Sequence, residues 1–127
     1  MKSVLSFVVA ILFSFSFSFS FSFSAYALAE DQGLSELIWS KTSNKEAIQL
    51  INKNPELINS RTGAGFTPLH LAGMVGNKEM ATFLLEKGAD VNAIDSDGYS
   101  PLTRAKANGN QDIADILIKN GGKELRP

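Results

Sequence analysis

The sequence predicts an all-α solenoid of about three helix-turn-helix repeats, joined by short hairpin loops and preceded by an apolar leader. Three observations carry this. The 127-residue chain matches itself at an offset of 33 residues without gaps. Within each matching block, apolar residues recur three and four apart, the spacing of one helix face. The chain also changes character at Glu30. Before it stand one charge, Lys2, and no acid, whereas the remainder is polar and mixed in sign.

Residues 1–29 read as a secretory signal peptide. Lys2 gives a positive start, Val4 to Phe13 an apolar run, and Phe13 to Ser24 alternate Phe and Ser. Ala27-Leu28-Ala29 then supplies small side chains one and three positions before a cut, making Glu30 the expected mature start. Ala25-Tyr26-Ala27 is the second choice. The Phe/Ser alternation also has the period of a strand, and the apolar stretch, at about 20 residues, is long enough to span a bilayer. Ser at alternate positions weakens a permanent span, and the Ala-rich exit favours cleavage. The chain is therefore expected in the periplasm or secreted, and at a membrane only if the leader is retained.

The repeats follow in order. The first, 30–64, is degenerate: Ala47, Leu50 and Ile51 form its stripe, and Asn54-Pro55 stops its helix. In gapless register its Trp39 falls on Ala72 and Ala105, a crowded position, so Trp39 is expected to fold over an end without a neighbour. The second repeat, 65–97, is the most regular. Thr67 precedes Pro68 as an N-cap precedes a first-turn proline. A helix over about 69–75 ends at Gly76, Asn77 caps the next, and Met80, Phe83 and Leu84 make its stripe. Gly88 sits past the end, where a left-handed residue is needed. The third repeat, 98–122, copies this with Ser100-Pro101, Ile113, Ile116, Leu117 and Gly121, and 123–127 is a tail. Arg104 replaces Leu71, which suits a solvent-facing end. Asp95-Ser96-Asp97-Gly98 is turn chemistry for a hairpin tip.

Thr67-Pro68-Leu69-His70-Leu71-Ala72, with the period of 33, resembles the ankyrin repeat, as does Gly88-Ala89-Asp90-Val91-Asn92-Ala93 with Asp95 and Gly98. The resemblance covers roughly 34–122 and implies a stack that grips proteins with a concave face built from hairpin tips and first helices. It implies a structural role for His70, bonded to the threonine turn and the neighbouring loop.

Little else suggests chemistry. The absence of cysteine excludes disulfides, thiolate metal sites and Cys nucleophiles. The net charge is −1, and loss of Lys2 leaves 11 basic against 13 acidic residues, too balanced to imply nucleic acid. His70 is the only histidine, and no base stands ready to activate the Ser and Thr hydroxyls. A calcium loop around Asp95 would need acids where Ala93 and Arg104 stand. Nothing in 63–65 leads into a phosphate-binding Gly-Lys-Ser/Thr.

By the family register, the concave face comprises Arg61, Phe66, Met74, Val75, Ile94, Ser96, Asp97, Tyr99 and Asn108, with Gly63, Ala64, Ala107, Lys41 and Thr42 beside them. The expected function is an exported protein-binding module, a scaffold or accessory without catalysis or cofactor, monomeric, its partner another protein. The alternatives are an accessory or protective partner of an exported enzyme that handles haem or another cofactor, or a toxin antagonist of the immunity type.

Overall fold

The computed structural model describes residues 33–127. The leader, its cleavage site and its alternative as an anchor lie outside the described residues. Every regular element within them is helical: α1 (33–40), α2 (Asn44–Lys53), a 3-10 turn (Pro55–Asn59), α3 (Pro68–Val75), α4 (Lys78–Glu86), α5 (Pro101–Ala107) and α6 (Gln111–Lys119). The helices pair as α3–α4 and α5–α6, and α1 and α2 meet in the shared core. The α3 helix packs on α5, and α4 packs between α2 and α6. No described helix is long and apolar enough to cross a membrane.

Side-chain caps explain where α3, α4 and α5 begin. The Thr67 hydroxyl accepts the His70 amide at the start of α3, and Ser100 accepts the Thr103 amide at the start of α5. Each is followed by proline, whose missing N–H would be unpaired anyway. Gly76 closes α3 at φ 74°, in the left-handed region. The stripes then meet in one core: Ala47 and Ile51 of α2, Met80, Ala81 and Leu84 of α4, Ile113, Ala114 and Leu117 of α6. Leu69, Leu71, Ala72, Leu102 and Ala105 join them from α3 and α5, and Leu34 and Ile38 from α1. Ile116 and Leu50, expected in the stripes, are half-buried at their edge.

The first repeat departs from gapless register, which corrects the expectation for Trp39. Asn110 Nδ2 donates to the carbonyls of Gly73 (2.7 Å) and Met74 (3.0 Å). One repeat earlier, Asn77 Nδ2 reaches the carbonyl of Ile38 instead (3.5 Å). The left-handed residue closing the first helix is Lys41, φ 58°, where the next repeat has Gly76. The helix therefore runs two residues ahead of the 33-residue register, with Thr42 and Ser43 taking up the difference before α2. Trp39 then corresponds to Met74 rather than Ala72. It is 56% exposed.

The tail closes the other end. Asn59 Oδ1 accepts the Asp90 amide (2.9 Å), and 33 residues on Asn92 Oδ1 accepts the Lys123 amide (2.8 Å). Ser100 Oγ donates to the Lys123 carbonyl (2.6 Å), and Thr103 Oγ1 donates to the Leu125 carbonyl (2.9 Å). The Ser100 amide donates to the same Leu125 carbonyl (3.2 Å). Residues 123–125 thus occupy the place of a further hairpin and satisfy the polar groups at the start of α5.

Candidate interaction surface

Two hairpin tips stand side by side. In the first, the Thr62 amide donates to the Phe66 carbonyl (3.0 Å) and the Gly65 amide to the Thr62 carbonyl (2.8 Å). In the second, the Asp95 amide donates to the Tyr99 carbonyl and the Gly98 amide to the Asp95 carbonyl, each at 3.0 Å. The Ser96 amide joins the tips through the Ala64 carbonyl (3.2 Å). Gly65 is required at this junction: its φ is 77°, and a Cβ there would lie 2.5 Å from Ser96 Oγ.

Arg61 is exposed, but its guanidinium is fixed. Nη1 donates to the carbonyls of Ile94 (2.6 Å) and Gly65 (3.2 Å), lacing one tip to the next. Ile94 is 48% exposed, and Ser96 and Asp97 are exposed at the second tip. Phe66 and Tyr99 are half-buried, as are Met74 and Val75 at the end of α3. Asn108 is exposed and caps α5 by donating to the Arg104 carbonyl (2.8 Å). The structure thus gathers Arg61, Phe66, Ile94, Ser96, Asp97 and Tyr99 at the tips, and sets Met74, Val75 and Asn108 on the ends of the first helices.

Arg104 organises the aromatic part of this surface, which corrects its reading as a solvent-facing replacement for Leu71. Its side chain is 21% exposed. Nε donates to Asp95 Oδ2 (2.7 Å) and Nη2 to Asp97 Oδ2 (2.8 Å). The guanidinium lies over both aromatic rings, 4.6 Å from the Tyr99 centroid and 5.3 Å from that of Phe66. The Asp95 side chain is fully buried. Burial alone would raise its pKa. The hydrogen bond from Arg104, with those from the Tyr99 and Asp97 amides, outweighs this and holds it below the ordinary 3.8. The bond to Asp95 in turn raises the Arg104 pKa, so the pair is ionised together.

Beside Arg104 lies a groove of about 710 Å³ bordered by Tyr99, Thr103, Lys106, Ala107, Glu124 and Arg126. Glu124 takes Lys106 on one oxygen (2.9 Å) and Arg126 on the other (2.7 Å). The hydrogen bond from Lys106, then that from Arg126, lowers the Glu124 pKa.

His70 is fully buried between the tips. Nε2 lies 2.9 Å from the Tyr99 carbonyl, which can only accept, so Nε2 carries the proton. Nδ1 then accepts from the Thr67 amide (3.1 Å) and the Thr67 hydroxyl (2.8 Å). Burial lowers the pKa below 6.5, ahead of the opposing pull of the Tyr99 carbonyl and Asp95. A second ring proton would also face the Thr67 N–H. With both nitrogens engaged, His70 has no lone pair for a metal or haem iron. Among the described residues no group of three His, Cys, Asp or Glu side chains could hold a metal ion.

Trp39, Lys106, Glu124 and Arg126 were not legible as part of this surface in the sequence, and Arg104 was read only as facing solvent. The two-residue shift hid Trp39. Arg104 meets its carboxylates only once the hairpin folds back on α5, and the other three meet only because the tail returns.

The architecture defines a helical-repeat protein whose paired helices stack with hairpin tips along one edge. The family model for ankyrin repeats matches residues 34–126 in three copies, and the chain belongs to that family. Such repeats are generally protein-interaction modules. No curated protein matches the chain significantly.

Proposed function

We propose that this chain is an exported, monomeric protein-binding module that acts through its hairpin tips and first helices and carries out no catalysis. The observation that carries the reading is the Phe66–Arg104–Tyr99 stack. Two half-exposed aromatic rings are fixed by an arginine that two carboxylates hold in turn. Rigid aromatic and Arg side chains dominate interface energetics because they bury area at low entropic cost. Arg61, Ile94, Ser96 and Asp97 extend the patch along the tips. Trp39, Met74, Val75 and Asn108 extend it along the helix ends. The chemistry around His70 favours a protein partner over a haem ligand, since both imidazole nitrogens are already bonded.

The test is partner capture by the full chain in its native host, with an affinity tag inserted between Asp31 and Gln32 so that the bonded C-terminal tail stays free. A stoichiometric protein partner should co-purify with the wild type. It should be lost from a Phe66→Ala/Tyr99→Ala variant whose circular dichroism is unchanged. Undiminished capture by that variant would move the binding site elsewhere, and no partner in any fraction would remove the reading.

A further inference from the structure

His70, the only histidine of the chain, sits where the two hairpin tips meet. Its ring ties down both aromatic residues of the Phe66–Arg104–Tyr99 stack. Nε2 donates to the Tyr99 carbonyl (2.9 Å). Nδ1 accepts from the Thr67 amide (3.1 Å), which belongs to the peptide unit that Phe66 shares with Thr67. The Phe66 ring lies 6.1 Å from the imidazole, centroid to centroid, and also carries the Arg104 guanidinium.

This linkage needs the neutral ring. A second proton would sit on Nδ1, and the Thr67 N–H cannot accept it. The Thr67 hydroxyl, 2.8 Å from Nδ1, can turn to accept instead, but the Thr67 amide then loses its partner. Thr67 is buried, which keeps water from taking over, so the amide is relieved only if the Phe66–Thr67 peptide turns. The Phe66 ring moves with it. The third repeat has Thr103 in the place of His70, and its hydroxyl bonds the Leu125 carbonyl (2.9 Å) without titrating in this range.

The charged groups around the ring do not reverse this. Burial opposes the second proton most, the Tyr99 carbonyl and Asp95 from the second tip favour it, and Arg61 from the first tip and Arg104 from α5 oppose it. The ring therefore takes the proton only below 6.5. Asp95 is held below 3.8, and arginine is cationic throughout, so in mild acid His70 is the one of these groups that changes charge.

We propose that His70 is an acid latch on the binding surface: in mildly acidic surroundings the ring takes a second proton, the Thr67 amide is displaced, Phe66 leaves Arg104, and the surface releases its protein partner. The inference rests on the reading of this surface as protein-binding. The partner binds the form in which the stack is intact, so acid weakens binding by up to about tenfold per pH unit below the point at which His70 titrates.

The experiment is nuclear magnetic resonance on the isotope-labelled chain as recovered from cells, without a histidine tag, so that the imidazole signal is that of His70. From about pH 7.5 to about pH 5, the imidazole carbons, the Thr67 amide and the Phe66 ring protons should shift with one midpoint below 6.5, while circular dichroism stays unchanged. In His70→Gln the Thr67 and Phe66 signals should stay flat over the same range. A partner captured at the upper pH should leave the wild type when the buffer is stepped to the lower one, retention falling about tenfold, and should stay on His70→Gln. An imidazole that remains neutral throughout, or that takes its proton only on unfolding, would overturn the inference. So would a titration to which Phe66 and Thr67 do not respond, or a Phe66 response that survives in His70→Gln. If His70→Gln does not fold, coincidence of the three wild-type midpoints decides. A partner retained by the wild type at the lower pH sinks the inference and leaves the protein-binding reading standing, whereas no partner at the upper pH removes that reading itself.

Discussion

At the scale of single residues, two buried polar groups tie the hairpins to the helices, and each gives the fold a pH dependence of known sign. His70 resists protonation when folded because it is buried and its Nδ1 already accepts from Thr67. Its contribution is complete above 6.5 and is lost as pH falls from 6.5 through the lower native value. The urea midpoint of the wild type should therefore decline between about pH 7 and pH 5, and that of His70→Gln, lower throughout, should change less over the same range. Asp95 works through its ionised form. Its pKa is depressed, so its contribution is present above 3.8 and lost as pH falls through the lower native value. Arg104→Leu, which restores the residue of the preceding repeat, leaves the buried Asp95 carboxylate without its cation. It should cost about 3–5 kcal/mol. Adding Asp95→Asn should recover part of that loss, and denaturant titration of the two single variants and the double variant measures the coupling.

Elements are limited by how closely neighbouring repeats approach. Gly73 is helical, and alanine there would gain about 1 kcal/mol of intrinsic helix propensity. The new Cβ, however, would press on the Pro101 carbonyl and Ala105 at 3.3 and 3.4 Å, and α5 cannot yield without shifting its cap. Gly73→Ala should lower stability by about 1 kcal/mol, a sign opposite to propensity, readable from thermal or urea unfolding. The tail is an element in its own right. Removing residues 123–127 leaves the Ser100 amide and the Thr103 hydroxyl without the Leu125 carbonyl, and Asn92 Oδ1 without the Lys123 amide. The loss should be about 1–2 kcal/mol. Hydrogen exchange should show it first in α5 and α6, because each repeat contacts only its neighbours.

At the scale of the whole molecule, Trp39 is the one tryptophan of the chain and sits in the structural position of Met74, 56% exposed. If the partner covers the ends of the first helices, its binding should shift Trp39 emission to shorter wavelength, and a titration that leaves the spectrum unchanged would confine the interface to the tips. The proposed export is checked by the mass of the protein recovered from cells. A chain beginning at Glu30 or Leu28 supports cleavage, and one that retains Met1 or Lys2 points to an anchor.

What the sequence determined by itself was the class of fold and the landmarks of each repeat. Caps, stripes and terminal glycines are local properties, legible at fixed spacing in Thr67-Pro68, Asn77, Met80–Leu84 and Gly76. The period of 33 then dictated stacking, because no single repeat can bury its stripe. Tertiary structure alone decided where the pattern breaks. Trp39 was misplaced because two extra residues between helices leave no mark in a gapless alignment. Arg104 looked like an end residue because its partners, Asp95 and Asp97, lie on another element. The Lys106–Glu124–Arg126 cluster exists only because the tail folds back onto Ser100 and Thr103. Local rules place a side chain on its helix, and only packing decides which distant charge it meets.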